Sequence, residues 1–458
     1  MPQPVPALRI PAGAAIAKPT FLYGVATAAY QIEGATQEDG RLPSIWDTFS
    51  AIPGKVLGGD TGAGACDHYH RWESDVDLIA GLGVDAYRLS IAWPRVMDDK
   101  GRRNERGLDF YKRLLARLKD KGLKTFVTLY HWDLPQHLQD RGGWLNRETA
   151  YRFADYADLM SRELAGHVDA WATLNEPWCS AFLGHGNGHH APGHADLRQA
   201  TQAMHHLLLG HGLGLQALRA NDAKSMKGIV ANVGAFTPAT TQAADVDAAH
   251  LGHTFHNQWV LDPLLKGSYP HDLFRLWPGT EPLVLDGDLQ VISQPNDFLG
   301  INYYFRTVVR SDGQHGFVEA APTNVERTQM GWEVYPQGLR DLLVDLKQRY
   351  TKLPPIYITE NGMASDDVVA LDAKGAGSVA DPQRIHFLER HLMAVNEAIA
   401  AGVDVRGYFV WSLMDNYEWS FGYERRFGIT HVDYATQVRT LKQSALALRA
   451  FLMARRQA

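Results

Sequence analysis

The stretch PPIYITENG, residues 354–362, joins an apolar β-strand to an abrupt polar end. Apolar or β-branched residues on consecutive positions predict a strand that is buried on both faces, as in a parallel sheet. The strand stops at Glu360, and the pair Asn361-Gly362 that follows is a turn signal. Glu360 is therefore either an ordinary polar strand end or a functional group that the strand positions.

Eight runs of this kind recur along the chain, and helical patterns lie between most of them. Residues 105–122, for example, place Leu108, Leu115 and Leu118 on one helix face and end on a glycine. Alternating strands and helices imply right-handed crossovers, and eight of them predict an α/β protein built as a (β/α)8 TIM barrel. The predicted strands are Phe21–Thr27, Val84–Trp93, Leu123–His131, Ala170–Pro177, Gly228–Gly234, Asp297–Tyr304, Pro355–Glu360 and Val405–Trp411.

We expect a single folded domain. Residues 19–458 are predicted to form one catalytic barrel with long insertions after the strands, chiefly after strands one, six and seven. Residues 1–18 carry prolines at positions 2, 4, 6 and 11 and are predicted to form a disordered N-terminal tail.

The composition of the 458-residue chain excludes several classes of protein. Apolar residues make up 45% and charged residues 21%, which is typical of a globular protein, and a net charge of −6 favours neither nucleic acid nor a membrane surface as a partner. We expect no transmembrane helix and no secretory signal, because long unbroken apolar runs are missing. The two cysteines fit a reducing compartment, so we predict a cytoplasmic protein.

Polar residues gather at the ends of the predicted strands, where barrel enzymes build their active sites. A single polar strand end means little, but six of the eight ends carry such residues, and strand five, which ends in Asn232 and Gly234, offers least. The residues at the six ends are Gln31, Glu33, His131, Trp132, Asp133, Asn175, Glu176, Asn302, Tyr303, Tyr304, Glu360, Asn361, Trp411, Asp415, Glu418 and Trp419.

Two of these residues, Glu176 and Glu360, are carboxylates that follow apolar strands. They lie on strands four and seven, whose ends should face each other across the mouth of the barrel. Such a pair suits cleavage of a glycosidic bond, in which one carboxyl group protonates the leaving oxygen and the other attacks the anomeric carbon or activates water. The alternative is a salt bridge that closes the barrel rim, for which Arg88 could be the partner of Glu360. A cation there would also keep a nucleophilic carboxylate ionised.

The other residues at the strand ends suit a sugar. Amide, imidazole and carboxyl groups can pair with a ring of hydroxyls, and tryptophan rings offer flat apolar faces to a pyranose. The candidates are Gln31, His131, Asn175 and Glu418 for hydroxyls, and Trp178, Trp332, Trp411 and Trp419 for ring faces.

Several segments resemble the signature blocks of the family 1 glycoside hydrolases, a family that includes the β-glucosidases. The blocks occur in the family's order and span roughly residues 20 to 455. They are FLYGVATAAYQIEG, YRLSIAWPR, TLYHWDLPQ, WATLNEPW, GINYY, YITENG and WSLMDNYEWSFGYERRFGI.

The resemblance implies a retaining enzyme that needs neither a metal nor an organic cofactor. Glu360 would be the nucleophile, Glu176 the general acid/base, and Asn175 the residue that holds the sugar 2-hydroxyl. Tyr304 and Arg88 would orient Glu360.

The resemblance also implies a set of substrate-binding residues. Trp411 would be the platform of the sugar, Trp332 the wall of the aglycone site, and Phe427 the residue at the C6 end. The remaining sugar-binding residues would be Gln31, His131, Trp132, Asn302, Glu418 and Trp419. We predict hydrolysis of terminal β-D-glucosyl residues, with β-galactosyl and β-fucosyl residues as further substrates. The partners would be small-molecule or oligosaccharide β-glucosides, and a homo-oligomer is left open.

Three alternatives remain from the sequence. A 6-phospho-β-glucosidase is disfavoured by Glu418, which would repel a phosphate, although Arg425 and Arg426 point the other way. A metal-dependent barrel sugar isomerase could use the histidine pairs in residues 67–70 and 188–190. A non-catalytic sugar-binding protein would not need the second carboxylate. His185, His189 and His190 depart from the family pattern, and we expect them near the entrance of the aglycone site.

Overall fold

The computed structural model describes residues 7–314, 316–371, 375 and 377–457. In this part of the chain eight parallel strands close into a barrel, with each strand beside its neighbour in chain order and the eighth beside the first. This confirms the predicted (β/α)8 fold. The barrel strands β1 to β8 are Leu22–Ala26, Ala86–Ser90, Lys124–Tyr130, Ala170–Asn175, Met226–Asn232, Phe298–Asn302, Ile356–Asn361 and Val405–Trp411.

A long helix follows each barrel strand along the described chain and packs outside the barrel. In α2, the side chains of Leu108, Leu115 and Leu118 are buried, as the spacing of its apolar residues predicts. The helices α1 to α8 are His68–Gly81, Glu105–Asp120, Glu148–Leu164, Leu197–Asn221, Ala243–His253, Pro336–Arg349, Pro382–Ala400 and Gln443–Arg455.

The connections after the strands contain the smaller elements. Segments 27–67, 303–335 and 362–381 are the predicted insertions, and segment 412–442 after β8 is a further long one. Ala235–Pro238, Arg306–Ser311 and Phe317–Glu319 form a three-stranded sheet, and Val369–Leu371 pairs with Gly377–Val379, as Thr430–Val432 does with Arg439–Leu441. Short α-helices are Ala29–Ile32, Ile45–Ser50, Trp93–Val96, Gln136–Gln139, Trp259–Leu265, Asp272–Leu276 and Asp288–Ile292. Short 3₁₀-helices are Leu57–Gly59, Gly143–Leu145 and Trp419–Phe421, with Ala15–Ala17 before β1, and the π-helical segments are Cys179–Gly186 and Thr254–Gln258.

Aromatic rings fill the inside of the barrel. Phe126 packs against Phe409 with ring centroids 4.9 Å apart and against Tyr357 at 5.3 Å, and Phe298 closes the layer 6.1 Å from Phe126. Gly24 in β1 leaves room for this layer, because a Cβ atom there would lie 2.3 Å from the ring of Phe409. The inside of the barrel is therefore a packed core, as in other barrels of this kind, whose ligands bind at the carboxyl ends of the strands.

The chain before β1 lies against the barrel where the structure describes it. Leu8 and Ile16 are buried, and the backbone N–H of Ala15 donates to the Asn396 side chain at 2.8 Å. Residues 1–6 of the predicted tail lie outside the described residues. The division into a tail over residues 1–18 and a barrel from residue 19 stays a prediction, although residues 7–18 have these packing contacts. None of the helices in the described ranges is long and apolar enough to cross a membrane.

A buried ion cluster ties the start of α8 to the loops after β7 and β8. The ammonium of Lys442 lies 2.7 Å from Asp415 and 2.5 Å from Asp367, and the side chains of Lys442 and Asp415 are fully buried. Arg426 pairs with the other oxygen of Asp415 at 2.7 Å. Because these charges have left water, each depends on its partners for stabilisation.

Lys442→Met should lower the free energy of unfolding by about 3–5 kcal/mol, because it leaves Asp415 and Asp367 buried with fewer partners. Urea unfolding followed by circular dichroism measures this change. The matched control is Arg406→Met, since Arg406 pairs with Asp404 at 2.8 Å but both side chains are more than half exposed. That control should cost less than about 1 kcal/mol, and equal losses in the two variants would contradict the assignment.

Candidate active site

Glu176 and Glu360 both line a cavity of about 840 Å³ at the carboxyl ends of the barrel strands. Glu176 directly follows β4, and Glu360 is the penultimate residue of β7. Glu176 is only 5% exposed and Glu360 only 3%, so both carboxyl groups lie in a largely desolvated environment. The structure thus brings the two carboxyl groups of the sequence prediction into one cavity.

The carboxylate of Glu360 is held at both oxygens. Arg88, from β2, donates to Oε1 at 2.5 Å, and the hydroxyl of Tyr304, just after β6, donates to Oε2 at 2.7 Å. Charge-assisted hydrogen bonds of this kind are short and strong, and two of them fix the orientation of the group.

Glu176 has a different environment. Its Oε1 accepts a hydrogen bond of 2.7 Å from the neutral amide of Asn302, and its backbone has a φ of +48°, a region that non-glycine residues rarely adopt. Burial raises the pKa of Glu176 above its usual range, and the negative charge of Glu360 raises it further. Two carboxyl groups in one cavity therefore have opposite surroundings, one beside a cation and one beside an amide.

An amide network connects the strands that carry the pair. The side-chain oxygen of Asn175 accepts from Arg88 at 2.7 Å and from Asn302 at 3.1 Å, while its nitrogen lies 3.1 Å from Nε2 of His131. Burial, together with the charge of Arg88, lowers the pKa of His131 well below its usual value, so the ring is neutral. The network fixes residues of β2, β4 and β6, and the residue after β3, relative to one another.

Gln31 and Glu418 lie near one end of the cavity and each has an unpaired buried oxygen. The amide nitrogen of Gln31 donates to Oδ1 of Asn416 at 3.0 Å and to the carbonyl of Tyr417 at 2.8 Å, but its Oε1 has no partner among the described residues. Oε2 of Glu418 is likewise unpaired within the described chain. Burial, with smaller contributions from Glu360 and Glu176, raises the pKa of Glu418 to about 8. These atoms can meet the hydroxyls of a ligand.

Aromatic rings form the wall at the same end. His131 is nearly parallel to both Trp411 and Trp419, at 5.9 Å and 17° in each case. Trp132 and Trp46 each lie 4.6 Å from Trp419. The indole of Trp132 also donates to the carbonyl of Asn175 at 2.9 Å, which joins this wall to the amide network.

Most of the predicted site residues line the cavity, and three lie behind its surface. These three are Gln31, Arg88 and Asn175, which are buried. Arg88 and Asn175 hydrogen-bond directly to the lining residues Glu360 and Asn302. Gln31 donates to the carbonyl of Tyr417, the residue before Glu418. The predicted residues that line the cavity are His131, Trp132, Glu176, Asn302, Tyr304, Trp332, Glu360, Trp411, Glu418, Trp419 and Phe427.

Other strand-end residues have structural contacts instead. Glu33 pairs with Arg95 at 2.8 Å and accepts from Tyr111, and Asp415 belongs to the ion cluster of Lys442. His189 and His190 line the cavity, as expected. His185 is not among the described lining residues: it is buried, and its Nδ1 lies 3.1 Å from the carbonyl of Ser180.

Sequence reasoning missed a second set of lining residues. Asn232 lines the cavity although its strand end looked least informative, and the one signal that could have found it was its position at the end of β5. The other missed residues come from segments between the barrel strands and include Lys55, Phe236, Phe255, His256, Phe305, Phe317 and Met330.

Arg425 and Arg426 and the histidines of residues 67–70, which supported other functions, lie outside the described lining of the cavity. Arg426 pairs with Asp415, and neither Arg425 nor Arg426 is among the described residues that line the cavity. His70 contacts Asp67 and Glu38, and His68 contacts Asp75. In the described ranges no group of three or more His, Cys, Asp or Glu side chains is arranged to hold a metal ion. The phosphoglycosidase and isomerase hypotheses are therefore not favoured.

Comparisons with known proteins find matches over nearly the whole chain. The family model described as "Glycosyl hydrolase family 1" matches residues 16–456. A β-glucosidase of Agrobacterium sp. is 47% identical over 430 residues, which cover 93% of this chain and 92% of the relative. A bifunctional β-D-glucosidase/β-D-fucosidase of Bifidobacterium breve is 47% identical over 446 residues, covering 93% and 95%.

A solved structure is also similar. The Thermotoga maritima family 1 glycoside hydrolase, complexed with a cyclophellitol analogue transition state mimic, superposes with a TM-score of 0.92 at 43% identity. The match covers 95% of this chain and 98% of that one.

Glu360→Gln should lower the pKa of Glu176, because it removes the negative charge that disfavours ionisation of Glu176. The pKa should stay above its usual value, since burial remains. Titration by NMR of protein with ¹³C-labelled glutamate carboxyls measures the shift. Glu418→Gln is the control and should change the pKa of Glu176 less, because Glu418 is not among its main causes. Equal shifts in both variants would contradict the coupling to Glu360.

Proposed function

Because the chain belongs to glycosyl hydrolase family 1, we propose that it is a retaining β-glucosidase that releases terminal non-reducing β-D-glucosyl residues through a covalent glycosyl-enzyme intermediate. The observation that carries this function is the pair of buried carboxyl groups with opposite surroundings, Glu176 beside an amide and Glu360 beside a guanidinium. Retaining glycosidases need one carboxyl group that gives a proton and one that attacks carbon.

In the first step Glu176 acts as the general acid and Glu360 as the nucleophile. A carboxylate oxygen of Glu360 attacks the anomeric carbon and forms an ester bond to the sugar, while the bond from that carbon to the glycosidic oxygen breaks. The raised pKa of Glu176 keeps its proton available for the leaving oxygen, so the aglycone departs as an alcohol.

In the second step Glu176 changes from general acid to general base. The ester has removed the negative charge of Glu360, and the pKa of Glu176 falls because that charge was one of the causes of its rise. Glu176 can then take a proton from water as the water attacks the anomeric carbon. The ester bond breaks, Glu360 regains its charge, and the sugar leaves with its original β configuration.

The remaining site residues would bind the sugar and stabilise the transition state. Asn175, held by Arg88 and Asn302, would bind the 2-hydroxyl, where hydrogen bonds strengthen towards the oxocarbenium-like transition state. Trp411 would be the platform of the ring, and Phe427 would border its C6 end. We assign the other hydroxyls to Gln31, His131, Trp132, Glu418 and Trp419, which surround the inner end of the cavity.

The substrate range extends beyond glucose in this proposal. β-Galactosides differ from β-glucosides at C4, and β-D-fucosides differ at both C4 and C6. The similar protein of Bifidobacterium breve is named for both glucosidase and fucosidase activity. We also propose a cytoplasmic location and a place in the breakdown of cellulose-derived sugars. Both cysteines are unpaired and buried, which suits a reducing compartment. A homo-oligomer stays a prediction.

The stereochemistry of the product tests the mechanism. Wild-type protein should release β-glucose first from an aryl β-glucoside, because two displacements at the anomeric carbon restore its configuration. Proton NMR during the first minutes of reaction measures the anomer. First-formed α-glucose would contradict the retaining mechanism.

The variant Glu360→Gly tests the nucleophile, again with an aryl β-glucoside as substrate and proton NMR of the products. This variant should lose turnover, and added azide should restore consumption of an activated aryl glucoside by giving an α-glycosyl azide. Full activity without azide would exclude Glu360 as the nucleophile.

Glu176→Gln should separate substrates by leaving group. A dinitrophenyl glucoside needs little proton donation and should keep kcat/KM within about tenfold, whereas phenyl glucoside should lose about 10²–10⁴-fold. In the wild type, activity should fall as the pH rises through the raised pKa of Glu176, because the acid must be protonated. The variant should lack that alkaline limb. Equal losses for both substrates would remove Glu176 from the acid role.

A further inference from the structure

The cavity continues beyond the sugar-binding residues into a region rich in aromatic rings. This region, which we call the outer aromatic site, is lined by Trp178, Phe236, Phe255, His256, Phe317 and Trp332. The whole cavity of about 840 Å³ lies in the upper part of the range that buries drug-sized ligands. Space therefore remains when one sugar ring fills the inner end.

The rings of the outer aromatic site form two groups, and within each group neighbouring rings are in contact. Trp332 stacks on Phe305 with centroids 4.8 Å apart and planes inclined by 24°. Trp178 lies 4.4 Å from His256, and Phe236 follows 5.7 Å beyond that imidazole. The rings thus extend from the residues next to the carboxyl pair outwards along the cavity.

The far end of this site belongs to the small three-stranded sheet. Phe236 comes from strand Ala235–Pro238 and Phe317 from strand Phe317–Glu319, and their ring centroids are 6.3 Å apart. Phe317 also lies 6.5 Å from Phe255. A second layer of rings therefore lies beyond the ring that would meet the first part of a leaving group.

The outer aromatic site offers few polar partners. Nε1 of Trp178 and Oδ1 of Asn232 are buried and unpaired within the described chain, so they could meet one donor and one acceptor group of a ligand but not a full ring of hydroxyls. Nε2 of His256 is paired with the side-chain nitrogen of Asn232 at 3.2 Å, and burial lowers the pKa of His256 to about 3, so its ring is neutral. Among the described residues of this part of the lining, Lys55 and Glu319 are charged. A further sugar unit would bring several hydroxyls, and each buried hydroxyl without a partner is unfavourable.

We propose that the outer aromatic site binds a flat, uncharged aglycone of two aromatic rings in preference to further sugar units. This inference rests on the proposed function, because the aglycone is the leaving group of the β-glucoside. The first ring would pack between the Trp178 and Trp332 groups, and the second would reach Phe236 and Phe317. Offset and edge-on ring contacts supply the preference for a flat second ring.

Three aryl glucosides and one sugar chain test the proposal in the wild-type enzyme. We compare kcat/KM for 4-phenylphenyl, 4-cyclohexylphenyl and phenyl β-D-glucoside, whose phenols have similar acidity, and for cellotriose. The biphenyl substrate should exceed phenyl glucoside by about tenfold, mainly through KM. The cyclohexyl substrate has a similar apolar area but a second ring that is not flat, so it should show a smaller gain.

A matched pair of variants tests whether the gain in kcat/KM for the biphenyl glucoside arises at the outer aromatic site. Phe317 lines the cavity, whereas the next residue of the same strand, Val318, is 41% exposed and is not among the described lining residues. Phe317→Ala should bring the biphenyl-to-phenyl ratio close to one and leave phenyl glucoside within about twofold. Val318→Ala should keep the wild-type ratio. Phe236→Ala is a second variant at the same end, with the same expected loss, in case Phe317→Ala does not fold.

Four results would overturn the inference. They are a wild-type ratio near one, a ratio unchanged by both phenylalanine variants, an equal gain for the cyclohexyl substrate, and a higher kcat/KM for cellotriose than for the biphenyl glucoside. Hydrolysis of none of the four substrates would instead overturn the proposed function, so the two failures are distinguishable.

Discussion

The guanidinium of Arg88 is almost completely buried and donates to both Glu360 and Asn175. A buried ion pair is costly to desolvate and is favourable only when its geometry is good and its remaining atoms are satisfied. Here strands from different parts of the sheet supply that geometry, since β2 carries Arg88, β7 carries Glu360 and β4 carries Asn175. The closed barrel fixes these strand ends, and the ion pair in turn determines where the carboxylate of Glu360 points.

The placement of this charge also organises the second carboxyl group. Glu176 lies close enough to Glu360 for its pKa to rise, yet its own direct partner is the amide of Asn302. The guanidinium of Arg88 therefore contacts one carboxyl group of the pair, Glu360, directly and does not pair with the other, Glu176. That inequality, rather than the identity of either glutamate, gives them different chemistry in one cavity.

The fold and the inner half of the site could be predicted from the sequence because both depend on local patterns. Apolar runs identify the eight strands, and polar residues at their ends must converge once the barrel closes, so Glu176, Glu360 and His131 were found without a structure. The outer half could not be predicted in this way. Phe236, His256 and Phe317 reach the cavity through a small sheet and a helical turn whose positions depend on contacts distant in sequence. Gln31 and Glu33 show a further limit: they lie two residues apart at one strand end, but Glu33 faces Arg95 and has a structural role.

The two ends of the cavity are formed by different structural elements. The inner end is built from the barrel strands themselves and from the β8 loop, which the buried Lys442–Asp415 pair anchors. Much of the outer end belongs to a three-stranded sheet that is distinct from the barrel sheet. Substitutions in that sheet can change the shape of the outer end of the cavity without moving the two carboxyl groups at its inner end. This division separates two properties of the protein: the outer end can tolerate changes in a peripheral sheet, whereas the inner end depends on contacts within the barrel itself.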